Sequence, residues 1–376
     1  MLAKLVGFPS VSDDSNLPLI HFVQDYLADL GVVSPLVPNT TGEKASLVAH
    51  IGPAVPGAVI LSGHSDVVPV EGQPWSSDPF VMSERKGRLY GRGTCDMKGF
   101  IASYLSLVPE MLRADLKRPI QLAISYDEEI GCLGAPPMID YMQENLPAAT
   151  VAIIGEPTDM KVVNGQKGIA ELYTYVTGTE MHSSMIHKAV PAVMYAARLV
   201  EWHRAQNTAN ASGPSQDPAY EPPWTSLHVG KIDGGTAHNI TAGKCFFTTD
   251  IRTIPSESTT EWIARYRAFA AGIEAEMKAI SPKAGIEIEI IAEVPGCNAE
   301  PDGEAEQLAR LMTGDNAANV VSYATEAGQF QQAGLSAVIC GPGSINQAHQ
   351  ADEYLEISQL KACDEMLRRL ISHLSS

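Results

Sequence analysis

The chain has 376 residues, enough for two domains, and 45% of them are apolar, the ordinary share for a globular protein. Forty-four Asp and Glu against 26 Lys and Arg leave a formal charge of −18, which excludes a nucleic-acid partner because no basic patch meets phosphates. No apolar run is long enough to span a membrane, and residues 1–12, with one lysine and acids following at Asp13 and Asp14, do not read as a signal peptide. The expected partner is therefore a small molecule, not a membrane. The six cysteines are scattered without a C-x-x-C pair, which suggests free thiols in a reducing cytoplasm.

In chain order, residues 17–30 repeat apolar positions at helical spacing, with Gly31 as a C-cap. Residues 45–51 and 58–62 read as strands, and 70–88 as loop. A helix-like run, Phe100 to Met111, follows the glycine-rich stretch from Tyr90. Strand 120–125, a helix near 134–145 and strand 150–154 continue a βαβ rhythm, which predicts a mostly parallel sheet. After Gly168 the pattern changes. Residues 170–177 alternate apolar and polar, as an antiparallel strand with one wet face does. A helix over 191–205, a polar, proline-rich loop over 207–223, strands near 225–233 and 243–252, a helix near 257–279 and strand 285–292 complete an α+β unit. The expected organisation is one domain of residues 1–167 and 291–376, interrupted by an inserted domain of 168–290. Glycines at the start of the insertion and Pro295-Gly296 past its end suit a hinge.

The stretch Tyr90-Gly-Arg-Gly-Thr-Cys-Asp96-Met-Lys-Gly-Phe100 is a turn with one aspartate between glycines. A carboxylate held rigidly there suits a bridge between two metal ions. Four apolar runs end in further candidate ligands: His64, Glu128 with Glu129, Glu156, and, after a longer turn, His349. Sites in open α/β sheets form beyond the carboxyl ends of strands, so these segments are expected to meet in one crevice. Asp66, two residues after His64, can orient the imidazole, since a ligating histidine usually passes its other N–H to an acceptor. Nitrogen with carboxylate oxygen fits two Zn²⁺ ions, with Co²⁺ or Mn²⁺ also open. Cys95, beside Asp96, reads as a small buried neighbour.

The order His-x-Asp, Gly-x-Gly-x-x-Asp-x-Lys-Gly, Asp-Glu-Glu-x-Gly, Gly-Glu-Pro-Thr and a late His resembles the acetylornithine deacetylase and succinyl-diaminopimelate desuccinylase family of two-metal amidohydrolases. It does so over essentially the whole chain. The tail from Gly341 to Tyr354 and the segment Thr325-Glu326-Ala327 are most similar to the acetylornithine-cleaving members, although Ala324 stands where glycine is common.

The resemblance implies a mostly parallel-sheet metallohydrolase domain with an inserted two-layer domain serving as lid and dimer contact. It implies one ion on His64, Asp96 and Glu156, the other on Asp96, Glu129 and His349, with a cis peptide after Asp96. Glu128 is then the general base. His182, in Glu180-Met-His-Ser-Ser184, would support the oxyanion from the partner subunit of a homodimer, whereas His187 reads as a surface residue. Asn239 and Arg252 match positions that grip a substrate α-carboxylate, while Arg252 could instead pair with Asp250. His238 replaces an expected apolar residue. Arg92 and Lys98 are expected to brace carboxylates. Glu326 is expected to meet a δ-ammonium of the substrate. The implied reaction is hydrolysis of N2-acetyl-L-ornithine to acetate and ornithine. A different acyl amino acid, such as succinyl-diaminopimelate or acetyl-citrulline, and a non-catalytic binding relative remain as alternatives.

Overall fold

The computed structural model describes residues 1–376. In chain order come α1 (Leu2–Val6), α2 (Leu17–Asp29), β1 (Leu36–Pro38), β2 (Ala45–Ile51), β3 (Ala58–His64), β4 (Ser83–Arg85) and β5 (Arg88–Tyr90). Then come α3 (Lys98–Arg113), β6 (Ile120–Ser125), α4 (Ala135–Asn145), β7 (Ala149–Pro157) and β8 (Val163–Gln166). The strands β3 and β6 are buried at every position, as an unbroken apolar run predicts for a strand covered on both faces.

The chain divides into two compact units, with residues 166–296 and 321–324 forming the second. That unit holds β9 (Gly168–Thr177), α5 (Ala192–Ser212), β10 (Ser226–Gly234), β11 (Lys244–Thr253), α6 (Thr259–Ile280) and β12 (Gly285–Val294). Its sheet is antiparallel in the order β10-β11-β9-β12, and burial alternates strictly along β9 from Gly168 to Val176. Leu172, Phe247, Ile251, Leu199 and Tyr266 belong to its own core with α5 and α6. The helix α5 runs to Ser212, so the stretch expected to be loop from residue 207 is helical for its first six residues.

The first unit resumes with α7 (Glu304–Thr313), then β13 (Asn319–Val321), α8 (Ala327–Gln332), β14 (Ser336–Gly341), β15 (Tyr354–Glu356) and α9 (Ile357–Leu374). Its main sheet has the order β1-β2-β6-β3-β7-β14-β8-β13. The centre, β6-β3-β7-β14, is parallel; β1, β2 and β8 pair antiparallel. Helix α3 buries Phe100, Ile101, Tyr104, Leu105 and Val108 in the same core as Val59, Leu61, Leu122 and Ile153. The divisions expected at 168 and 290 fall within two residues at the start and six at the end. The later exit follows β12, which stays paired with β9 as far as Val294. No helix is long and apolar enough to cross a membrane.

Candidate active site

The parallel strands aim their carboxyl ends at one place. His64 is the last residue of β3, and Glu128 and Glu129 follow the end of β6 by three and four residues. Glu156 is near the end of β7, and His349 lies eight residues past β14. Asp96 sits between β5 and α3, and its peptide bond to Met97 is cis.

Asp96 faces two ways. Its Oδ1 is 3.1 Å from His64 Nε2 and its Oδ2 is 3.2 Å from His349 Nε2. His64 Nε2 also has Glu156 Oε1 at 3.7 Å and Glu128 Oε2 at 3.9 Å, and His349 Nε2 has Glu129 Oε2 at 2.9 Å. The structure thus brings all six expected side chains together. Two overlapping sets have ligand atoms close enough to hold an ion: His64 with Glu128 and Glu156, and His64 with Asp96 and Glu129. His349 has a side chain 52% exposed, while Asp96, Glu128, Glu129 and Glu156 are each nearly covered.

Charge is concentrated here beyond what burial tolerates without cations. Burial raises the pKa of Glu128, with Glu129, Glu326 and Asp96 adding to it. Burial and then Asp96 raise Glu156, and the same pair of causes pushes Glu129 up to about 7. Burial would lower the His64 pKa, yet Asp66 and Asp96 override it and raise it; Asp96 and Glu129 push His349 up to about 10. Glu156 Oε1 is buried without a hydrogen-bond partner. A cluster of carboxylates with imidazoles and an orphaned oxygen fits divalent cations as the missing partner.

The supporting contacts explain the geometry. The turn before α3 needs its glycines for two reasons. Gly93 has φ +79°, and a Cβ there would lie 2.8 Å from Val67 Cγ1. Gly99 has ordinary helical backbone, but a Cβ would stand 2.5 Å from the Thr94 carbonyl oxygen. Glu353 is fully buried beneath this turn. It accepts N–H bonds from Gly93 (2.9 Å), Cys95 (2.8 Å) and Asp96 (3.1 Å), and pairs with Arg92 at 2.8 Å. Sequence reasoning gave Glu353 no role. Its partners are mostly backbone amides, and the one side-chain signal is the Arg92 it neutralises.

Three expectations are corrected. His64 Nδ1 makes its 2.9 Å hydrogen bond to the backbone carbonyl of Asp66, while the nearer carboxylate oxygen lies at 3.6 Å. The Asp66 carboxylate instead receives the N–H groups of Glu128 (3.2 Å) and Glu129 (3.3 Å) and the Ser12 hydroxyl (2.7 Å). It therefore fixes the turn that carries both glutamates as well as standing by the imidazole. Lys98 does not grip a carboxylate: its Nζ donates to the Phe8 carbonyl at 2.8 Å, and burial lowers its pKa to about 7. Glu326, expected to meet a substrate δ-ammonium, lies beneath the surface. It is 1% exposed and accepts a 3.0 Å bond from Ser62, so an ammonium arriving from solvent has no carboxylate oxygen to meet. Cys95 is buried and all six cysteines are free.

The remaining expected residues lie in the second unit. His182 is exposed, with its Nδ1 2.8 Å from Ser184 Oγ, and its backbone bridges to Ile240. Asn239 accepts from the Ser183 N–H at 2.9 Å and is exposed, as are His187 and His238. Arg252 on β11 pairs with Asp250 at 2.8 Å, the simpler of its two readings, with both side chains about one-third exposed.

A cluster of histidine and carboxylate donors at the carboxyl ends of a parallel sheet, in a chain that also carries a separate antiparallel-sheet domain, defines a metal-dependent hydrolase. The chain belongs to Peptidase family M20/M25/M40, whose model matches residues 60–373. It is 34% identical over 379 aligned positions to an acetylornithine deacetylase of Myxococcus xanthus, covering 99% of this chain and 96% of the relative. It is 33% identical to one of Shigella sonnei, covering 98% and 95%. The metallo-carboxypeptidase Sso-CP2 of Sulfolobus solfataricus shares the fold, with a TM-score of 0.73, 18% identity and coverage of 100% and 98%.

Proposed function

We propose that the chain removes the acetyl group of N2-acetyl-L-ornithine, giving acetate and L-ornithine, as a step of arginine synthesis in the cytoplasm. The observation that carries this reading is the near-complete coverage, at 34% and 33% identity, of two relatives named for that reaction. The six-residue cluster supports the chemistry. His64, Asp96 and Glu156 would hold one divalent ion, and Asp96, Glu129 and His349 the other, with zinc the best match to imidazole and carboxylate donors. Ions held there supply Lewis acidity and make water more acidic.

Glu128 is left free of the second donor set and acts as the base. It takes a proton from the attacking water, whose oxygen bonds to the acyl carbon. Glu128 then delivers that proton to the leaving amine nitrogen as the C–N bond breaks. Burial and like charges raise the Glu128 pKa, which suits a group that must both take and return a proton.

The molecule acts as a homodimer in this reading, with His182 of one subunit supporting the oxyanion in the site of the other. Exposed Met181, Met185, Ile186, Val193, Met194, Ile232 and Ile240 support an interface on the second unit. Arg252 and Asn239 would receive the α-carboxylate, Arg252 exchanging Asp250 for it.

A substrate panel on protein loaded in turn with zinc, cobalt and manganese tests the reading. N2-acetyl-L-ornithine should give the highest kcat/KM, above N-succinyl-diaminopimelate, N-acetyl-citrulline and N-acetyl-methionine. A higher value for any of the others reassigns the substrate, and no turnover of any reassigns the chain to binding.

A further inference from the structure

Glu326 is a fully buried acid that the proposed mechanism leaves unused. It stands immediately before α8, with its backbone carbonyl accepting from the N–H groups of Gln329 and Phe330. Its Oε2 accepts the Ser62 hydroxyl at 3.0 Å. Burial raises its pKa, and its Oε1, like Ser125 Oγ, has no hydrogen-bond partner.

The places of these two serines matter. Ser62 is two residues before His64 on β3, and Ser125 ends β6 three residues before Glu128. The two strands are parallel neighbours, with His64 in register with Ser125. One turn further along α8, Gln329 Nε2 donates to the Cys132 carbonyl at 3.1 Å. The Cys132 thiol in turn donates to Glu128 Oε1 at 3.3 Å. The start of α8 is therefore fixed at two places: to β3 at Ser62, through Glu326, and to the far end of the segment that carries the base at Cys132, through Gln329.

We propose that Glu326 is a positioning residue for the base: its bond to Ser62 anchors the start of α8 on β3, so that Gln329 holds the Cys132 carbonyl and the Cys132 thiol holds Glu128 opposite His64. It does not touch substrate. A buried carboxyl group is kept here because an acceptor at the start of α8 ties that helix to the strand that ends in His64. The proposal rests on the reading of Glu128 as base.

The test uses metal-loaded wild type, Glu326→Ala, Glu326→Gln and Ser62→Ala. It reads kcat and KM on N2-acetyl-L-ornithine and on N-acetyl-L-methionine, and amide exchange of the segment 126–132. Glu326→Ala should lower kcat about ten- to a hundred-fold, equally for both substrates, with KM little changed and exchange in 126–132 faster. Glu326→Gln keeps an acceptor for Ser62 and should recover most of the loss; Ser62→Ala should reproduce part of it. If Glu326→Ala does not fold, Glu326→Gln and Ser62→Ala carry the comparison. A loss confined to acetylornithine and expressed in KM would make Glu326 a substrate contact and overturn the proposal. So would wild-type kcat or unchanged exchange in Glu326→Ala. Absence of turnover in the wild type defeats the proposed function instead, and the exchange comparison still decides the positioning role.

Discussion

Glu128 and Glu129 are adjacent in sequence but differ in surroundings. Glu129 is 2.9 Å from His349, whereas Glu128 faces His64 at 3.9 Å and receives the Cys132 thiol. Substituting Gln at each should separate the roles. Glu128→Gln is expected to keep two metal ions per chain after desalting while kcat falls by about a thousand-fold. Glu129→Gln should lose the ion shared with His349. Metal analysis showing the reverse would exchange the two assignments. The residues of this site were legible because each closes an apolar run or a glycine turn, so side-chain type and strand ending are both visible in the sequence. Glu353 and the true duty of Asp66 were not, because their partners are main-chain N–H groups that any residue possesses. The burial of Glu326 was not legible for a related reason: its one hydrogen-bond partner, Ser62, lies 264 positions away on β3.

At the scale of elements, the segment before α2 straps the back of the site. Phe8 accepts from Lys98, Ser10 donates to the Ser65 carbonyl at 2.6 Å, and Ser12 donates to Asp66 at 2.7 Å. Lys44, immediately before β2, joins the Ser12 carbonyl to Asp127. Ser12→Ala removes a hydrogen bond to a buried carboxylate, which costs about 1.5–3 kcal/mol. Unfolding of the first unit should move by that amount, and kcat should drop about ten-fold as the turn bearing Glu128 loosens. Wild-type kcat in the destabilised variant would separate the strap from the chemistry. Helix α5 shows where local pattern yields to tertiary contact. Asn207 and Asn210 look like loop residues, yet Asn207 Oδ1 accepts from the Leu227 N–H and Asn210 Nδ2 donates to the Thr225 carbonyl. The same helix buries His203, whose Nδ1 lies 2.9 Å from the Leu199 carbonyl and whose pKa burial lowers to about 4. The unfolded chain protonates below its ordinary 6.5, the folded one only near 4. Stability is therefore complete above pH 6.5 and falls by about 3 kcal/mol as pH drops to 4. Denaturant unfolding of wild type and His203→Leu, followed by the tryptophans of the second unit (Trp202, Trp224 and Trp262), should show a steeper pH slope in the wild type by nearly one proton. Equal slopes would mean that His203 titrates normally.

On the scale of the whole chain, the two-unit division was legible because hydrophobic rhythm changes from unbroken apolar strands, as in β3, to strict alternation, as in β9. Long-range pairs such as Arg92 with Glu353 were not, since nothing in local spacing marks residues 261 positions apart. Assembly poses the remaining question. His182 is exposed on a unit whose own core is complete without it, and apolar side chains surround it in sequence: Met181, Met185 and Ile186. In the proposed dimer each site needs Glu128 from one chain and His182 from the other. Glu128→Ala and His182→Ala should each be nearly inactive as homodimers. Mixing them by unfolding and refolding produces hybrids in which one site lacks both residues and the other keeps both. Random pairing makes half the dimers hybrid, so activity should return to about a quarter of the wild-type value. The check is to tag the two variants differently, isolate the hybrid by sequential affinity steps and measure kcat on N2-acetyl-L-ornithine. An inactive purified hybrid would place His182 within its own chain's site or outside the chemistry, and a monomer by sedimentation would remove the dimer altogether.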